Sequence, residues 1–314
     1  MLELDQVSKI YRVGTFGSKE LHAVSDVSFS VCKGKVVALI GESGSGKSTI
    51  GRMILRLINI SSGQIKFLGE DIVDYKGPAL KEYYRQVQGV FQDPFCSYNP
   101  IFKADRVFQN VRHAFFPDVS DKIWTDKIDQ ALTAVGLNPV HVLGKYPHQL
   151  SGGQLQRFLI ARALLLDIQF LVADEIISML DASTRIDVLN LLADLKESGL
   201  AILFITHDLS LANYISEQAL ILYRGCIAEI GQTESIFETP LHPYTRMLMA
   251  SVPRLDSKWS AGSVELKSKQ LPLNQGCVYY GRCESAMPMC ARERPPLYRV
   301  AEDHHVACFL YKDR

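Results

Sequence analysis

The chain contains 314 residues, of which 47% are hydrophobic, enough apolar material for a substantial globular core. Its 34 basic residues balance 34 acidic residues, so its net charge would not attract nucleic acid or an anionic membrane. No stretch reaches the roughly 18 apolar residues of a membrane-spanning helix, and the N-terminal region carries no secretory pattern. We therefore expect a cytosolic chain that cannot form a pore by itself.

The first distinct motif is a glycine-rich loop after the apolar run 36–40. Residues 41–48 read Gly-Glu-Ser-Gly-Ser-Gly-Lys-Ser, which matches the phosphate-binding pattern G-x-x-x-x-G-K-S/T in its expected place between a strand and a helix. The glycines let the backbone wrap around the phosphates, Lys47 neutralises them, and the Ser48 hydroxyl coordinates Mg²⁺. The predicted nucleotide-binding residues of this phosphate loop are Gly41, Ser43, Gly44, Ser45, Gly46, Lys47, Ser48 and Thr49.

Other segments predict the strands of an α/β protein. The apolar runs 36–40, 171–173 and 201–205 are typical of buried parallel strands, and helical patterns accompany them. Four other segments mix polar and apolar residues around turns, which favours a more exposed antiparallel layer. These segments are 2–12, 21–32, 64–72 and 219–230.

Helices are expected mainly in the middle of the chain. Five prolines separate short helical patterns between residues 93 and 165, which indicates an inserted helical subdomain. A further helix is expected near 184–196, with Ser183 as its cap and Gly199 as its stop.

Polar side chains follow three of the predicted strands. Asp174 ends one apolar run and Glu175 comes next, so one carboxylate can hold the Mg²⁺ shell while the other polarises an attacking water. His207 follows the run 201–205, and Gln92 follows a shorter apolar strand. Taken singly, these residues could be a helix N-terminal charge pair, a solvated histidine and a surface glutamine before a turn.

A second glycine-rich segment, Leu150–Gln154, precedes the amphipathic stretch 155–166. It predicts another helix N-terminus suited to phosphate, with free backbone N–H groups and the positive end of the helix dipole. One chain would then carry two phosphate-binding elements for one class of nucleotide. The economical interpretation is that two such chains pair head to tail, each contributing its second segment to the nucleotide held by the other.

The end of the chain is rich in cysteine. Polar residues dominate 257–274, which indicates a linker, and the last forty residues contain four of the seven cysteines. Because disulfides are rare in cytosolic proteins, such a cluster more often binds a metal, which would stabilise a module with so few large apolar residues. Four thiolates can hold zinc or a [4Fe–4S] cluster, and the spacing fits neither common pattern, so chemistry alone leaves the choice open.

Together these motifs resemble the ATP-binding subunits of ABC transporters. The segments 242–246 (His-Pro-Tyr-Thr-Arg) and 251–253 (Ser-Val-Pro), with the terminal cysteine pattern, resemble the dipeptide/oligopeptide importers within that family, and the resemblance covers essentially the whole chain. It implies a P-loop NTPase (RecA-like) core with an antiparallel β subdomain, an inserted helical subdomain at about 93–165 and a small Cys-rich C-terminal module. The expected domains are a nucleotide-binding domain at 1–256 and a linker with the C-terminal module at 257–314.

The resemblance also implies roles for individual residues. Glu175 would be the general base, His207 a contact to the γ-phosphate, and Gln92 a residue that reaches Mg²⁺ and the water. The Mg²⁺ ligands would come from Ser48, Gln92 and Asp174. The residues Ser151, Gly152, Gly153 and Gln154 would face the partner's ATP. Asp181 matches a loop at the dimer interface but could be only a helix cap, and Tyr11 would stack on adenine unless it is an ordinary cross-strand aromatic.

The implied cofactors are ATP, Mg²⁺ and a [4Fe–4S] cluster at the terminal cysteines, with Zn²⁺ or four unliganded cysteines as alternatives. The cluster ligands would be Cys277, Cys283, Cys290 and Cys308. The aromatics between 93 and 115 would either dock a helix of a membrane subunit or form the core of the helical subdomain. Those aromatics are Phe95, Tyr98, Phe102, Phe108 and Phe115.

The expected partners are a second, different ABC ATP-binding subunit, two integral membrane permease subunits and an extracytoplasmic substrate-binding protein, with no nucleic acid. The expected location is the cytoplasmic face of the cell membrane. Di- or oligopeptides are the expected cargo, and nickel chelates or oligosaccharides are the alternatives. An ABC ATPase of cluster assembly or translation is the rival class.

Overall fold

The structure, a computed structural model, describes residues 1–13, 19–251 and 275–313. The predicted linker at 257–274 and the residues Val252 and Pro253 lie outside the described residues. The chain divides into two compact units. Unit 1 comprises residues 1–31, 36–73 and 204–314, and unit 2 comprises residues 32–35 and 74–203. The boundary between nucleotide-binding domain and C-terminal module at residue 256 stays a prediction.

The helices and strands of the described residues are numbered in chain order. The strands are β1 (Leu2–Val13), β2 (Lys19–Val31), β3 (Val36–Ile40), β4 (Ser62–Phe67), β5 (Glu70–Asp71), β6 (Val87–Val90), β7 (Phe170–Asp174), β8 (Ala201–Thr206), β9 (Gln218–Tyr223), β10 (Cys226–Gln232), β11 (Tyr298–Ala301) and β12 (His304–Val306). The helices are α1 (Lys47–Ile54), α2 (Gly77–Gln86), α3 (Arg106–Phe115), α4 (Asp121–Ala134), α5 (Pro139–Val142), α6 (Gly152–Leu164), α7 (Ala182–Glu197), α8 (Leu209–Ile215), α9 (Thr233–Glu238) and α10 (Pro243–Ala250).

Unit 1 contains the predicted antiparallel layer, a sheet in the order β2-β1-β4-β5. At the start of β1, Leu2 and Leu4 are buried and Glu3 between them is exposed, as expected of a strand with one face in the core and one in water. The three N-terminal segments predicted for this layer are therefore confirmed.

The fourth segment of that prediction, 219–230, is wrong. Its strands β9 and β10 belong to the other sheet, whose strands in unit 1 run β11-β12-β10-β9-β3. β9 lies parallel to β3, and its residues Leu220, Ile221 and Leu222 are completely buried. A continuous apolar run of this kind is typical of a strand covered on both faces, whereas the turn Arg224-Gly225 alone suggested an exposed hairpin.

The C-terminal residues 275–313 belong to unit 1 and extend its sheet. β12 pairs antiparallel with β10, and the backbone N–H of Ala307 donates to the Ala228 carbonyl at 2.8 Å. A small apolar cluster of Val306, Cys308 and Tyr311 is completed by Leu241, which precedes the tail in sequence. Tyr298 and Val300 of the tail also join this cluster, and Tyr279 packs into the core cluster of unit 1, so the tail combines a small apolar cluster of its own with burial against unit 1.

Unit 2 contains the helices α2 to α7 and the parallel strand pair β6 and β7. The ring of Phe108 on α3 stacks on Phe158 of α6 with centroids 4.5 Å apart, and both residues are completely buried. Helix α7 begins after Asp181, whose carboxylate accepts the N–H of Thr184 at 3.0 Å, so the predicted cap Ser183 is wrong. Gly199, with φ +100°, follows the last turn and confirms the predicted stop.

None of the helices in the described ranges is long and apolar enough to cross a membrane.

Candidate functional site

The phosphate loop of unit 1 has the geometry of a phosphate site. Gly46 caps α1 with φ +106°, a left-handed conformation that side chains rarely tolerate, and a Cβ there would approach the Ala23 carbonyl oxygen to 2.5 Å. Lys47 is buried, and its Nζ donates to the carbonyl oxygens of Gly41 at 2.8 Å and Glu42 at 3.0 Å. The buried Ser45 Oγ has no hydrogen-bond partner in the described structure. A phosphate oxygen would provide one.

Two residues that the sequence did not assign to the site also contact the loop. The Glu42 N–H donates to the hydroxyl of Tyr244 at 3.0 Å, and the Glu42 carboxylate accepts from Arg282 Nη1 at 2.9 and 3.1 Å. Tyr244 lies in the segment 242–246 and Arg282 next to Cys283, two of the motifs that resemble the dipeptide/oligopeptide importers. Their contact to the loop could not be derived from the sequence, because 202 and 240 residues separate them from Glu42.

Two other predicted residues of unit 1 lie at strand positions. His207 is exposed directly after β8, where Asp208 caps α8 by accepting the N–H groups of Ser210 and Leu211. Tyr11 is half-buried in β1 opposite Leu21, and the Lys9 ammonium lies 5.0 Å from its ring centroid. Tyr11 therefore has the cross-strand neighbour that an ordinary aromatic of a β-sheet would have. Its role towards adenine stays a prediction.

In unit 2, the paired carboxylates follow β7 as predicted. Asp174 is buried at the end of the strand, and Glu175 is half-buried with φ +51°. The Ser178 backbone N–H and hydroxyl both donate to the Glu175 carbonyl, at 3.1 and 2.8 Å. A non-glycine residue in this backbone region costs free energy and is common at functional sites. Other non-glycine residues of the described chain, such as Leu68 and Arg224, share this conformation, so the strain agrees with the motif but does not single out Glu175.

Gln92 is exposed shortly after β6, in a short turn that continues to Phe95. Asp93 orders this turn by accepting the Phe95 N–H at 2.8 Å and the Cys96 thiol at 2.9 Å. The hydrogen bond from Cys96 is the main cause of the lowered pKa of Asp93. The Gln92 side chain is thus presented at the surface of unit 2 by an ordered turn.

The second glycine-rich segment forms the N-terminus of α6. Ser151 and Gln154 cap it reciprocally: Ser151 Oγ accepts the Gln154 N–H at 3.2 Å, and Gln154 Oε1 accepts the Ser151 N–H at 2.9 Å. A Cβ on Gly153 would lie 2.5 Å from Cγ2 of Thr184, whereas a Cβ on Gly152 would meet nothing within 4 Å. Close packing accounts for Gly153. Gly152 leaves open space at the helix N-terminus.

Asp181 has the capping role that the sequence left as an alternative. Its carboxylate accepts from the hydroxyls of Ser183 at 2.7 Å and Thr184 at 2.9 Å, besides the Thr184 N–H. These hydrogen bonds, with that of Ser183 the strongest, hold the pKa of Asp181 well below its usual range. A place at a dimer interface stays a prediction.

The five aromatics between 93 and 115 divide between the two predicted roles. Phe108 and Tyr98 are buried in unit 2, and the Tyr98 hydroxyl donates to the Leu155 carbonyl at 3.2 Å. Phe95 and Phe102 are 49% and 39% exposed. Phe115 is half-buried. The core interpretation holds for Phe108 and Tyr98, and the exposed pair remains available to a partner.

The four terminal cysteines line one cavity of unit 1, together with His242, Tyr279 and Phe309. Burial raises the pKa of the Cys277 thiol to about 11, and it also raises the pKa values of Cys283 and Cys308, so these thiols are neutral near pH 7. Among the described residues, no three His, Cys, Asp or Glu side chains are close enough together to hold a single metal ion. The cavity is lined by four sulfur atoms that could bind a metal, but they are not gathered as closely as the four ligands of a tetrahedral zinc site.

Comparisons with known proteins agree with the site geometry. Residues 24–178 match the family model of the ABC transporter, and residues 228–290 match that of the oligopeptide/dipeptide transporter C-terminal region. The oligopeptide transport ATP-binding protein AppF of Bacillus subtilis is 39% identical over 99% of this chain and 97% of its own length. The protein OppF of Salmonella typhimurium, with the same description, is 37% identical over 92% of this chain and 88% of its own.

Solved structures show the same fold. A dimeric structure of the ATP-binding cassette MJ0796 in a post-hydrolysis state, bound to ADP and Pi, superposes with a TM-score of 0.67 at 27% identity, covering 74% of this chain and 99% of that one. The structure of cbiO1 from Clostridium perfringens, part of the ABC transporter complex cbiONQ, gives a TM-score of 0.66 at 25% identity, covering 76% and 90%. The same conclusion follows from the P-loop ATPase fold, from the two helix N-termini suited to phosphate and from these relatives. The chain belongs to the ATP-binding proteins of the ABC transporter family, in the branch with the oligopeptide/dipeptide transporter C-terminal region.

Proposed function

We propose that this chain hydrolyses ATP to drive the import of di- or oligopeptides through separate membrane subunits. The proposal rests on three features that occur together in this chain. They are a phosphate loop, a second helix N-terminus suited to phosphate and a match to the C-terminal region of oligopeptide/dipeptide transporters. Relatives that are 37–39% identical over nearly the whole chain are named as oligopeptide transport ATP-binding proteins. ATP hydrolysis follows from the family, and the peptide cargo follows from these relatives.

The proposed chemistry divides between the two units. In unit 1 the phosphate loop would bind ATP, with Lys47 donating to the phosphates once it leaves the carbonyls that it now contacts. Ser48, Asp174 and Gln92 would hold Mg²⁺. The metal would neutralise the charge that develops on the phosphates.

Glu175 would act as the general base on the attacking water, and His207 would contact the γ-phosphate. The place of Glu175 directly after Asp174 at the end of β7 supports this assignment, because a carboxylate there can polarise a water beside the Mg²⁺ shell. Tyr11 would stack on the adenine ring.

The second glycine-rich segment would act on a nucleotide held by another chain. The open space at Gly152 and the capped N-terminus of α6 support this role, because a phosphate group can approach the N–H groups of the first turn there. We propose a partner that is a related but different ABC subunit, with Asp181 at the shared interface.

Two membrane permeases and an extracytoplasmic substrate-binding protein would complete the transporter and place the chain at the cytoplasmic face of the membrane. Phe95, Phe102 and the 76% exposed Ile101 would contact a permease helix. Single exposed apolar residues are common, but here three exposed apolar side chains lie within eight residues of the chain, shortly after Gln92, which supports contact with a partner.

We propose further that Cys277, Cys283, Cys290 and Cys308 hold a [4Fe–4S] cluster, with Zn²⁺ as the alternative. Their common cavity supports the proposal, and a cluster spreads its thiolates farther apart than a single ion does. The raised thiol pKa values mean that binding would release protons. Anaerobic purification with visible absorption spectra and metal analysis tests this: a brown protein with iron and sulfide supports the cluster, and a colourless protein with stoichiometric zinc contradicts it.

The function itself is tested by co-purifying the chain with its membrane subunits, reconstituting the complex in proteoliposomes and measuring ATP hydrolysis. Peptide together with the binding protein should stimulate hydrolysis, and Lys47→Ala in this chain should abolish the stimulation. Stimulation by a nickel chelate or an oligosaccharide instead of peptides would refute the assigned cargo. Association with ribosomes or scaffold proteins instead of permeases would refute the transport function.

A further inference from the structure

The second residue of the phosphate loop, Glu42, carries a carboxylate. Glu42 follows the first glycine of the loop, and its carbonyl oxygen accepts from Lys47 Nζ at 3.0 Å. A negative charge on the loop, left uncompensated, would lower the positive potential that favours an anionic nucleotide. A cation beside the Glu42 carboxylate would offset that charge.

The C-terminal tail supplies that cation. Nη1 of Arg282 donates to both carboxylate oxygens of Glu42, at 2.9 and 3.1 Å, and the two side chains are 22% and 40% exposed. This hydrogen bond is the main cause of the raised pKa of Arg282, so the guanidinium stays charged. A partly buried, charge-assisted contact of this kind is stronger than an ordinary surface ion pair.

Aromatic packing holds Arg282 in place. Its guanidinium lies 5.9 Å from the ring centroids of both Tyr223 and Tyr279. The Tyr279 ring lies 5.4 Å from that of the buried Tyr244, whose hydroxyl accepts the Glu42 N–H. One aromatic cluster thus fixes both groups that contact Glu42.

We propose that Arg282 is a positioning residue of the nucleotide site: by neutralising and holding Glu42, it makes the C-terminal tail a determinant of ATP affinity. This inference rests on the proposed role of the phosphate loop. Because Arg282 directly precedes Cys283, a change in the four-cysteine cavity can reach the loop through one peptide bond and the Arg282–Glu42 ion pair. By thermodynamic linkage, a tail that strengthens nucleotide binding is itself stabilised by the nucleotide.

The test measures binding of a non-hydrolysable ATP analogue with Mg²⁺ by isothermal titration calorimetry, using the full-length chain. Arg282→Gln should weaken binding about tenfold, equivalent to about 1.4 kcal/mol, and added salt should narrow the deficit by screening Glu42. The double variant Arg282→Gln, Glu42→Gln should recover most of the affinity, because the uncompensated charge is gone. A purely structural role of Arg282 would not give this recovery.

The matched control is Arg299→Gln, because Arg299 is an exposed tail arginine whose Nε donates to the nearby Ala301 carbonyl at 3.4 Å. This control should bind like the wild type. The inference is overturned if Arg282→Gln also binds like the wild type, or if the double variant is as weak as Arg282→Gln. Failure of the wild type to bind the analogue would instead contradict the proposed function.

Hydrogen exchange of the wild-type chain provides a measurement that does not depend on the folding of a variant. Nucleotide should slow exchange of the backbone amides at 279–283 more than those of β11, which lacks the contact to the loop. Equal exchange at 279–283 with and without nucleotide would contradict the proposal.

Discussion

The phosphate loop and the second glycine-rich segment are both helix N-termini suited to phosphate, but their surroundings differ. The loop in unit 1 is closed by its own chain: Tyr244 and Arg282 hold Glu42, and the Gly225 N–H donates to the Ser45 carbonyl at 2.7 Å. The second segment in unit 2 is capped only by its own residues and leaves the space beside Gly152 open. The phosphate loop is therefore held in shape by contacts within its own chain, whereas the open space beside Gly152 suits the proposed phosphate of another chain.

Substitution of Glu175 should have the largest effect, and it should separate two activities. Nucleotide binding is assigned to the phosphate loop, whereas hydrolysis of ATP is assigned to Glu175 as the base. Glu175→Gln removes the base and keeps the size of the side chain. We expect ATP hydrolysis by the reconstituted complex to fall by at least about 100-fold, while binding of the ATP analogue is unchanged. Full turnover in this variant would show that another group is the base.

His242, which holds the backbone of Tyr244, should make the stability of the protein depend on pH. His242 accepts the Tyr244 N–H at 3.0 Å, and burial lowers the pKa of His242 to about 4, with Glu229 opposing and Arg246 adding to the shift. The unfolded histidine titrates near 6.5, so below that pH the unfolded state binds a proton that the folded state does not, and stability falls as the pH drops towards 4. This one residue should cost about 2 kcal/mol between pH 7 and pH 5.

The variant His242→Asn provides the comparison, because asparagine can cap α10 without titrating. Urea unfolding at pH 7 and pH 5 should give a smaller loss of stability in the variant than in the wild type, by about 2 kcal/mol. The same loss in both proteins would mean that His242 is protonated in the folded state.

The two glycines of the second segment should respond differently to the same substitution. Gly153→Ala places a Cβ against Thr184 Cγ2 and should reduce the free energy of unfolding by about 1–3 kcal/mol. Gly152→Ala meets open space and should change it by less than about 0.5 kcal/mol. Urea unfolding of both variants measures the difference.

A second substitution identifies the cause of the Gly153 effect. Adding Thr184→Ser to Gly153→Ala removes the methyl group in conflict and keeps the hydroxyl that donates to Asp181. Stability should then recover. If it did not, the two residues would not be in the close contact described for α6 and α7.

The sequence determined the parts of this protein that depend on local pattern. The phosphate loop needs glycine at fixed spacing between a strand and a helix, so its position and its chemistry could be predicted from the sequence. The strand end that carries Asp174 and Glu175 could be predicted in the same way. The prediction for 219–230 was wrong because a turn signal does not reveal which sheet a hairpin joins. Ser183 was predicted as the cap of α7 and Asp181 was left as an alternative cap, since both residue types cap helices and only the backbone decides between them.

Only the tertiary structure decided the contacts between residues far apart in the chain. Arg282 and Glu42 carry no local signal for each other, and the gathering of four cysteines around one cavity depends on how the tail joins β10. The roles of Gly152 and Gly153 likewise differ only because Thr184 of another helix lies beside one of them. Local sequence specifies which groups can bind phosphate. Packing between distant segments decides which of them are held by the chain itself.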